Sequence, residues 1–302
     1  MPGRKFLLLV AILLLAVTAL ANASSYSALV VYGDSLSDNG NLFSAIGYPP
    51  SPYFQGRFSN GPVAAEQLAS ALGVPLLDFA FGGATSGIGN FVDGGTQTAP
   101  GMFGLPGMQL ELAASASILT PPLTSTGLFM VWGGANDFLV SGSVSTAVAN
   151  IDSIIATLQS DGVQHILVPG MPDLGITPDF FGNPVATAYA EQFNALLLAS
   201  LPPGVIYADT FNLSQQLSMH PGDFGLTNST DPCFNGASVC SNPDQYLFWD
   251  GFHPTTAADA ILEKQFAAAL TPEPSSILLI STGMSGLMVL VRQGRRRRGR
   301  AA

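Results

Sequence analysis

The stretch ALVVYGDSLSDNGNLF, residues 28–43, runs from an apolar segment straight into Gly33-Asp34-Ser35 and then the turn-forming Asp38-Asn39-Gly40-Asn41. A short apolar run rich in β-branched or aromatic residues suits a strand buried on both faces. The pattern returns at 75–80 (PLLDFA), 127–132 (GLFMVW), 164–169 (QHILVP) and 204–208 (GVIYA). Helix-length segments alternate with these runs, at 61–72, 106–119, 145–161, 185–199 and 255–270, the last with Thr255 or Thr256 as its cap. Leu72-Gly73 and Asp161-Gly162 supply helix stops just before the following strand. Strand–helix alternation of this kind predicts an α/β protein, a three-layer α/β/α sandwich around a mainly parallel sheet. No low-complexity linker divides residues 24–270, which therefore read as one domain. The Gly-rich stretch 82–107 and the loop 209–246 are long for connections and suit substrate-site or lid roles.

Both ends carry a different pattern. Residues 1–23 begin with the basic MPGRK, pass through FLLLVAILLLAVTAL and end Ala21-Asn22-Ala23. That order is the basic region, apolar core and small-residue cleavage site of a secretory signal peptide, the alternative being an N-terminal membrane anchor. At 271–302, Pro272-Glu273-Pro274 precedes the apolar run SSILLISTGMSGLMVLV, followed by Arg292, Arg295–Arg298 and Arg300. A run of about 17 apolar residues is at the short end of what spans a bilayer, so a short transmembrane segment is expected here. This three-part order resembles the PEP-CTERM sorting signal of Gram-negative bacteria. The resemblance implies recognition by an exosortase-type membrane enzyme, removal of the tail, and a product that is secreted or attached to the cell surface.

Only two of the ten basic residues, Arg57 and Lys264, lie in 24–270, while acidic residues are scattered through it. A surface so acidic repels phosphate backbones and disfavours attachment to anionic lipid by charge. Nucleic acid is thus excluded as a partner. Cys233 and Cys240 sit in the turn-rich DPCFNGASVCSNPD; an even pair in an exported protein suggests a local disulfide, with two free thiols as the alternative. Neither a CxxC nor a nearby histidine completes a metal-ligand set.

In an open parallel sheet, sites gather beyond the carboxyl ends of the strands. Gly33-Asp34-Ser35 follows the first run, Gly82-Gly83 the second and Gly133-Gly134-Ala135-Asn136-Asp137 the third, while Asp250-Gly251-Phe252-His253 precedes the last helix. A serine hydroxyl needs a base to take its proton, and that base needs a group to orient it. Of the three histidines, His165 starts a buried strand and His220 lies in the 209–246 loop. His253 falls on the same edge as Ser35, with Asp250 one turn earlier. Ester hydrolysis places negative charge on the former carbonyl oxygen, and the N–H groups of Ser35 and Gly83 and the amide of Asn136 are available donors. The competing readings are a plain turn for Gly82-Gly83 and a helix cap for Asn136.

At these residues the chain resembles the GDSL, or SGNH-hydrolase, family of esterases and lipases. Gly33-Asp34-Ser35-Leu36-Ser37-Asp38 is similar to its first block, and Phe79-Ala80-Phe81-Gly82-Gly83-Ala84-Thr85 to its glycine block. Gly134-Ala135-Asn136-Asp137 and Asp250-Gly251-Phe252-His253-Pro254 resemble the third and last blocks. Gly56-Arg57-Phe58-Ser59-Asn60-Gly61 resembles a stretch frequent in the branch with plant GDSL lipases and thermolabile-hemolysin-like phospholipases. The resemblance implies a flavodoxin-like sheet, with Ser35 as nucleophile, His253 as base and Asp250 as the residue orienting it. It also implies an oxyanion hole of Ser35, Gly83 and Asn136, no cofactor, and substrates ranging from small-molecule and glycan esters to lipids. Asp34 reads as a structural neighbour of Ser35. Arg57 either pairs with an acidic loop and holds the entrance in shape, or contacts a substrate carboxylate or phosphate. Tyr48, Tyr53, Phe54, Phe58, Phe103 and Phe138 are candidates to line an acyl or aryl pocket.

Overall fold

Strand residues alternate between two apolar layers, and this alternation builds the fold seen in the computed structural model, which describes residues 26–271. Strand β1 (Leu29–Gly33) turns Leu29 and Val31 into one core and Val30 and Tyr32 into the other. With β2 (Leu76–Asp78), β3 (Leu128–Trp132), β4 (His165–Pro169) and β5 (Ile206–Ala208) it forms a five-stranded sheet in the order β2-β1-β3-β4-β5. Every pairing is parallel. This is the flavodoxin-like order, whose switch point lies between β1 and β3. The expectation of strands buried on both faces holds for β1 and β3, all of whose residues are buried. It does not hold for β2 and β5, which are edge strands and leave Leu77 exposed and Ile206 half-buried.

The helices are α1 (Asn41–Ile46), α2 (Ala64–Leu72), α3 (Met108–Ala114), α4 (Leu123–Thr126), α5 (Ala135–Leu139), α6 (Val144–Ser160), α7 (Pro184–Ser200), α8 (Thr210–Met219) and α9 (Thr256–Leu270). One face of the sheet is covered by α2, α8 and α9 through Leu68, Leu213, Leu217, Leu262 and Phe266. The other is covered by α3, α6 and α7, where Val148, Ile151, Ile155 and Leu158 form the helical stripe expected for a core-facing helix. Gly73 caps α2 in the left-handed conformation, and Thr255 accepts the Ala258 N–H at the start of α9. The expected helix 106–119 is shorter, because α3 gives way at Ser115 to a 3₁₀ turn over Ala116–Ile118. The loop 209–246 holds more order than its composition suggested. Leu213 and Leu217 of α8 are buried four residues apart, but the Asn, Ser and Gln around them obscure the period.

A second, two-stranded sheet pairs β6 (Asn228–Pro232) with β7 (Tyr246–Phe248). The expected disulfide joins Cys233 to Cys240 across this segment, with Cα atoms 4.8 Å apart, and the Cys233 N–H donates to the Phe248 carbonyl. The bonded loop is thereby fastened to the strand that leads into Asp250. The expectation of a transmembrane helix is corrected: among the described residues no helix is long and apolar enough to cross a membrane. The tail on which that span was placed, like the signal-peptide segment 1–23, lies outside the described residues.

Candidate active site

The chain leaves β1 beneath the end of β3, at the switch point. A Cβ on Gly33 would collide with the Trp132 carbonyl, so a glycine is required where the two strand ends meet. Two residues on, Ser35 sits in a turn, 8% exposed. Its Oγ is 2.8 Å from His253 Nε2. On the other side of the ring, Nδ1 is 2.9 Å from Asp250 Oδ1 and 2.8 Å from Oδ2. Asp250 is further held by the N–H groups of Phe252 and His253, both donating to Oδ1 at 2.8 Å, and by the Tyr53 hydroxyl, donating to Oδ2 at 2.7 Å. Burial pushes the Asp250 carboxyl up, but the His253 ring and these N–H donors outweigh it and hold the group down at about 2. The carboxylate is therefore ionised at any pH where the imidazole can act as a base.

The stretch 56–61 turns out to be the clamp on His253. Phe58 lays its ring against the imidazole, centroids 4.8 Å apart, and the Ser59 hydroxyl donates to the Pro254 carbonyl at 2.9 Å. Asn60 Oδ1 accepts the Thr256 N–H at 2.9 Å, fixing the helix that follows. Arg57 is occupied elsewhere: it donates to both Glu66 oxygens, at 2.7 and 3.2 Å, and to the Gln55 carbonyl, and its guanidinium lies over the Phe54 ring. The pairing reading is the one seen, with a helix residue of α2 in place of the acidic loop. His165 packs edge-on against Tyr26 and His220 ends α8, both apart from Ser35.

The three candidate oxyanion donors line the same cavity as Ser35 and His253. Among the described residues no acceptor takes the N–H of Ser35 or of Gly83, whereas the Gly82 N–H is spent on Asp38 Oδ2 at 2.7 Å. Gly83 has φ +81°, where a side chain would be strained and would also meet Asn90 and Val92. Asn136 donates one amide hydrogen to the Ala84 carbonyl at 3.0 Å, which leaves the second for the site. Asn136→Ala is expected to lower kcat by about 10²–10³-fold with little change in KM, read in steady-state ester hydrolysis. A loss confined to KM would show that the amide binds substrate without serving the transition state.

Buried carboxylates hold this loop architecture together. Asp38 accepts the N–H groups of Gly40, Asn41 and Leu42 as well as Gly82, so it caps α1 and ties it to the glycine loop. Asp137 accepts from the Ser86 N–H and hydroxyl, and Glu111 accepts the N–H groups of Gly33 and Phe81. Burial raises all three. Asp34 behaves as a structural neighbour of Ser35: its Oδ1 accepts the Leu36 N–H, and burial pushes the group up to about 7 against that bond and the His253 ring. Sequence reasoning did not find Glu111, although an acidic residue on the Met108–Leu112 face of an apolar helix was a signal. It singled out Tyr53 for a pocket and missed its bond to Asp250, because no pattern links positions 197 apart.

The cavity above Ser35 measures about 530 Å³ and is mainly apolar, with Tyr48, Tyr53, Phe58 and Phe138 on its wall as expected. Phe91, Phe180, Phe234 and Phe252 join them, while Phe54 and Phe103 lie outside. Phe234, the residue after Cys233, stacks on Trp249 and meets Tyr53 edge-on, so the disulfide-bonded loop forms part of this wall. A site of this kind can generate a serine alkoxide equivalent, stabilise an oxyanion and seat an apolar group.

Comparison with known proteins points the same way. Residues 29–266 match the family described as GDSL-like Lipase/Acylhydrolase. The chain is 29% identical to a phosphatidylcholine-sterol acyltransferase of Aeromonas hydrophila, over 87% of this chain and 95% of that one. It is 24% identical to a GDSL esterase/lipase of Arabidopsis thaliana, over 80% and 88%. Among solved structures, LAE5, an alpha/beta hydrolase enzyme from the metagenome of Lake Arreo, Spain, aligns with a TM-score of 0.50 at 15% identity, covering 81% of this chain and 94% of that one.

Proposed function

The chain belongs to the GDSL-like lipase/acylhydrolase family and is a serine-type carboxylic ester hydrolase; from that premise we propose that Ser35, His253 and Asp250 carry its reaction. Nε2 of His253 takes the Ser35 proton as Oγ adds to the ester carbonyl, and the N–H groups of Ser35 and Gly83 with the Asn136 amide hold the oxyanion. Collapse of the adduct breaks the ester C–O bond, and the alcohol leaves with the proton from Nε2. Water then repeats the sequence on the acyl-enzyme and releases the acid. The observation that carries this reading is the continuous bond line from Ser35 Oγ through both imidazole nitrogens to Asp250. The test is covalent: a serine-directed alkyl phosphonate is expected to add one adduct mass to the peptide containing Ser35 and abolish ester turnover. An active, unlabelled protein would sink the assignment.

A second reading, phospholipase or lipid acyltransferase, is favoured by the apolar cavity and by the name of the Aeromonas relative. A phospholipase runs the same two steps on a phospholipid ester with water as the acceptor, whereas in an acyltransferase a sterol or other hydroxyl replaces water at the acyl-enzyme. Mixed phosphatidylcholine–sterol vesicles separate the two by whether free acid or sterol ester accumulates. A non-catalytic surface or carbohydrate-binding role leaves the aligned triad without a purpose. The domain organisation belongs to the proposal as well: signal peptide 1–23, hydrolase domain 24–270, sorting tail 271–302. The Cys233–Cys240 bond supports export, since such bonds persist in oxidising compartments. Export to the envelope or surface of a Gram-negative cell, with exosortase-type processing of the tail, predicts a mature mass that starts at Ser24 and lacks the terminal arginines. A cell-associated product retaining Met1 would overturn it.

A further inference from the structure

Two stretches that contribute to the cavity mouth, 39–56 and 79–110, are almost without charge in a strongly acidic chain, whereas Asp173 and Asp179 line the cavity elsewhere. All but one of the twenty acidic residues lie within 26–271, yet none lies between Asp38 and Arg57, and only Asp93 lies between Asp78 and Glu111. Asp93 is turned inward: its Oδ2 accepts the N–H groups of Phe103 and Leu105, both at 3.0 Å, and its carbonyl accepts from Met102. These bonds hold the 102–105 segment against the turn at Phe91–Asp93 and present Met102 84% and Phe103 71% exposed. Phe91 and Val92 are 46% and 38% exposed and also line the cavity, as does the exposed Tyr48 on the other lip. Val92 in turn abuts Gly83. An apolar surface therefore runs unbroken in composition from solvent, over this lip, to the oxyanion glycine.

We propose that the lip formed by Phe91-Val92 and Met102-Phe103 is an interfacial anchor that seats the cavity mouth on a neutral or zwitterionic lipid–water interface. The inference rests on the ester-hydrolase reading and adds the physical state of the substrate. Exposed methionine and phenylalanine side chains gain by leaving water, and a contiguous exposed apolar patch is a contact surface. The charge distribution selects the occupant. With no outward cation on the lip and a net acidic body behind it, an anionic surface is repelled, whereas a zwitterionic or uncharged one meets apolar groups alone. A lipid drawn from such an interface would enter past Phe91 and Val92 and meet Ser35 without crossing a charged rim.

The test compares the full chain with the double variant Met102→Ser, Phe103→Ser, neither residue lying in the cavity wall. On a short-chain nitrophenyl ester kept below its aggregation limit, the variant is expected to keep its rate within about twofold. On an emulsified triglyceride, and in partitioning to phosphatidylcholine vesicles, it is expected to lose about tenfold or more, with little dependence on salt. Equal losses on soluble and emulsified ester, or no loss on either, overturn the proposal. So does a concentration-dependent dimer that the variant abolishes, since a second copy would then own the patch. A Phe103→Trp variant keeps the lip apolar and reports directly: a blue shift of the new indole emission on adding phosphatidylcholine vesicles is expected, and unchanged emission overturns the anchor. If the wild type instead fails on the soluble ester but still partitions to vesicles, the hydrolase reading fails and the anchor stands.

Discussion

Ser35→Ala is expected to lower kcat/KM for any ester substrate by on the order of 10⁴-fold or more, with the phosphonate adduct lost at the same time. In the proposed mechanism alanine removes the atom that forms the covalent bond, but it leaves the position 35 N–H, the Gly83 N–H, the Asn136 amide and the cavity in place. Substrate should therefore still bind, and a residual rate should remain from the oxyanion donors and from His253 acting on water. The folded state should barely notice. Among the described residues the Ser35 hydroxyl has one hydrogen-bond partner, His253 Nε2, and loss of such a bond next to an open cavity shifts stability by about 1 kcal/mol. A variant that unfolds early would make the activity loss uninformative, so a thermal melt and the affinity for a non-hydrolysable ester analogue belong with the rate. Retention of a tenth or more of the turnover would remove Ser35 from the mechanism.

How much of this was legible beforehand depended on distance along the chain. Strands and helices came through because each is a local pattern: Val30 and Tyr32 alternate with Leu29 and Val31, and the α6 stripe repeats every three or four residues. Ser35, Gly83, Asn136 and His253 were legible because strand-end placement brings them to one edge once the sheet is parallel. The edge strands were misjudged because Leu76 and Leu77 read the same whether a neighbour covers them or not; only the strand order decides. What stayed hidden was the support. Ser59 with Pro254, Tyr53 with Asp250 and Glu111 with Gly33 join segments whose pairing depends on the folded path of the chain. Asp38 read as an ordinary turn residue, although its four N–H contacts make it the link between α1 and the glycine loop.

Asp250→Asn tests that support where it matters most and is expected to reduce kcat by about 10⁴-fold through the wrong imidazole tautomer. Among the described residues every hydrogen-bond partner of the Asp250 carboxylate is a donor: the Phe252 and His253 N–H groups, the Nδ1 hydrogen and the Tyr53 hydroxyl. An asparagine must place its NH₂ among them. With its oxygen kept toward the two backbone N–H groups, the NH₂ faces Nδ1 and Tyr53. Nδ1 then becomes the acceptor and the hydrogen moves to Nε2, which can no longer take the Ser35 proton. Tyr53→Phe is the graded control, since it deletes one bond and leaves Nδ1 its carboxylate; a loss of less than about tenfold is expected. Acid titration of stability supplies the independent readout. Asp250 is depressed from 3.8 to about 2, so its contribution is fully present above the higher value and is lost as pH falls through the lower. The wild type should therefore shed stability across that window more steeply than Asp250→Asn, which has no carboxylate to protonate there. Parallel acid-unfolding curves would mean that Asp250 does not carry the charge that orients His253.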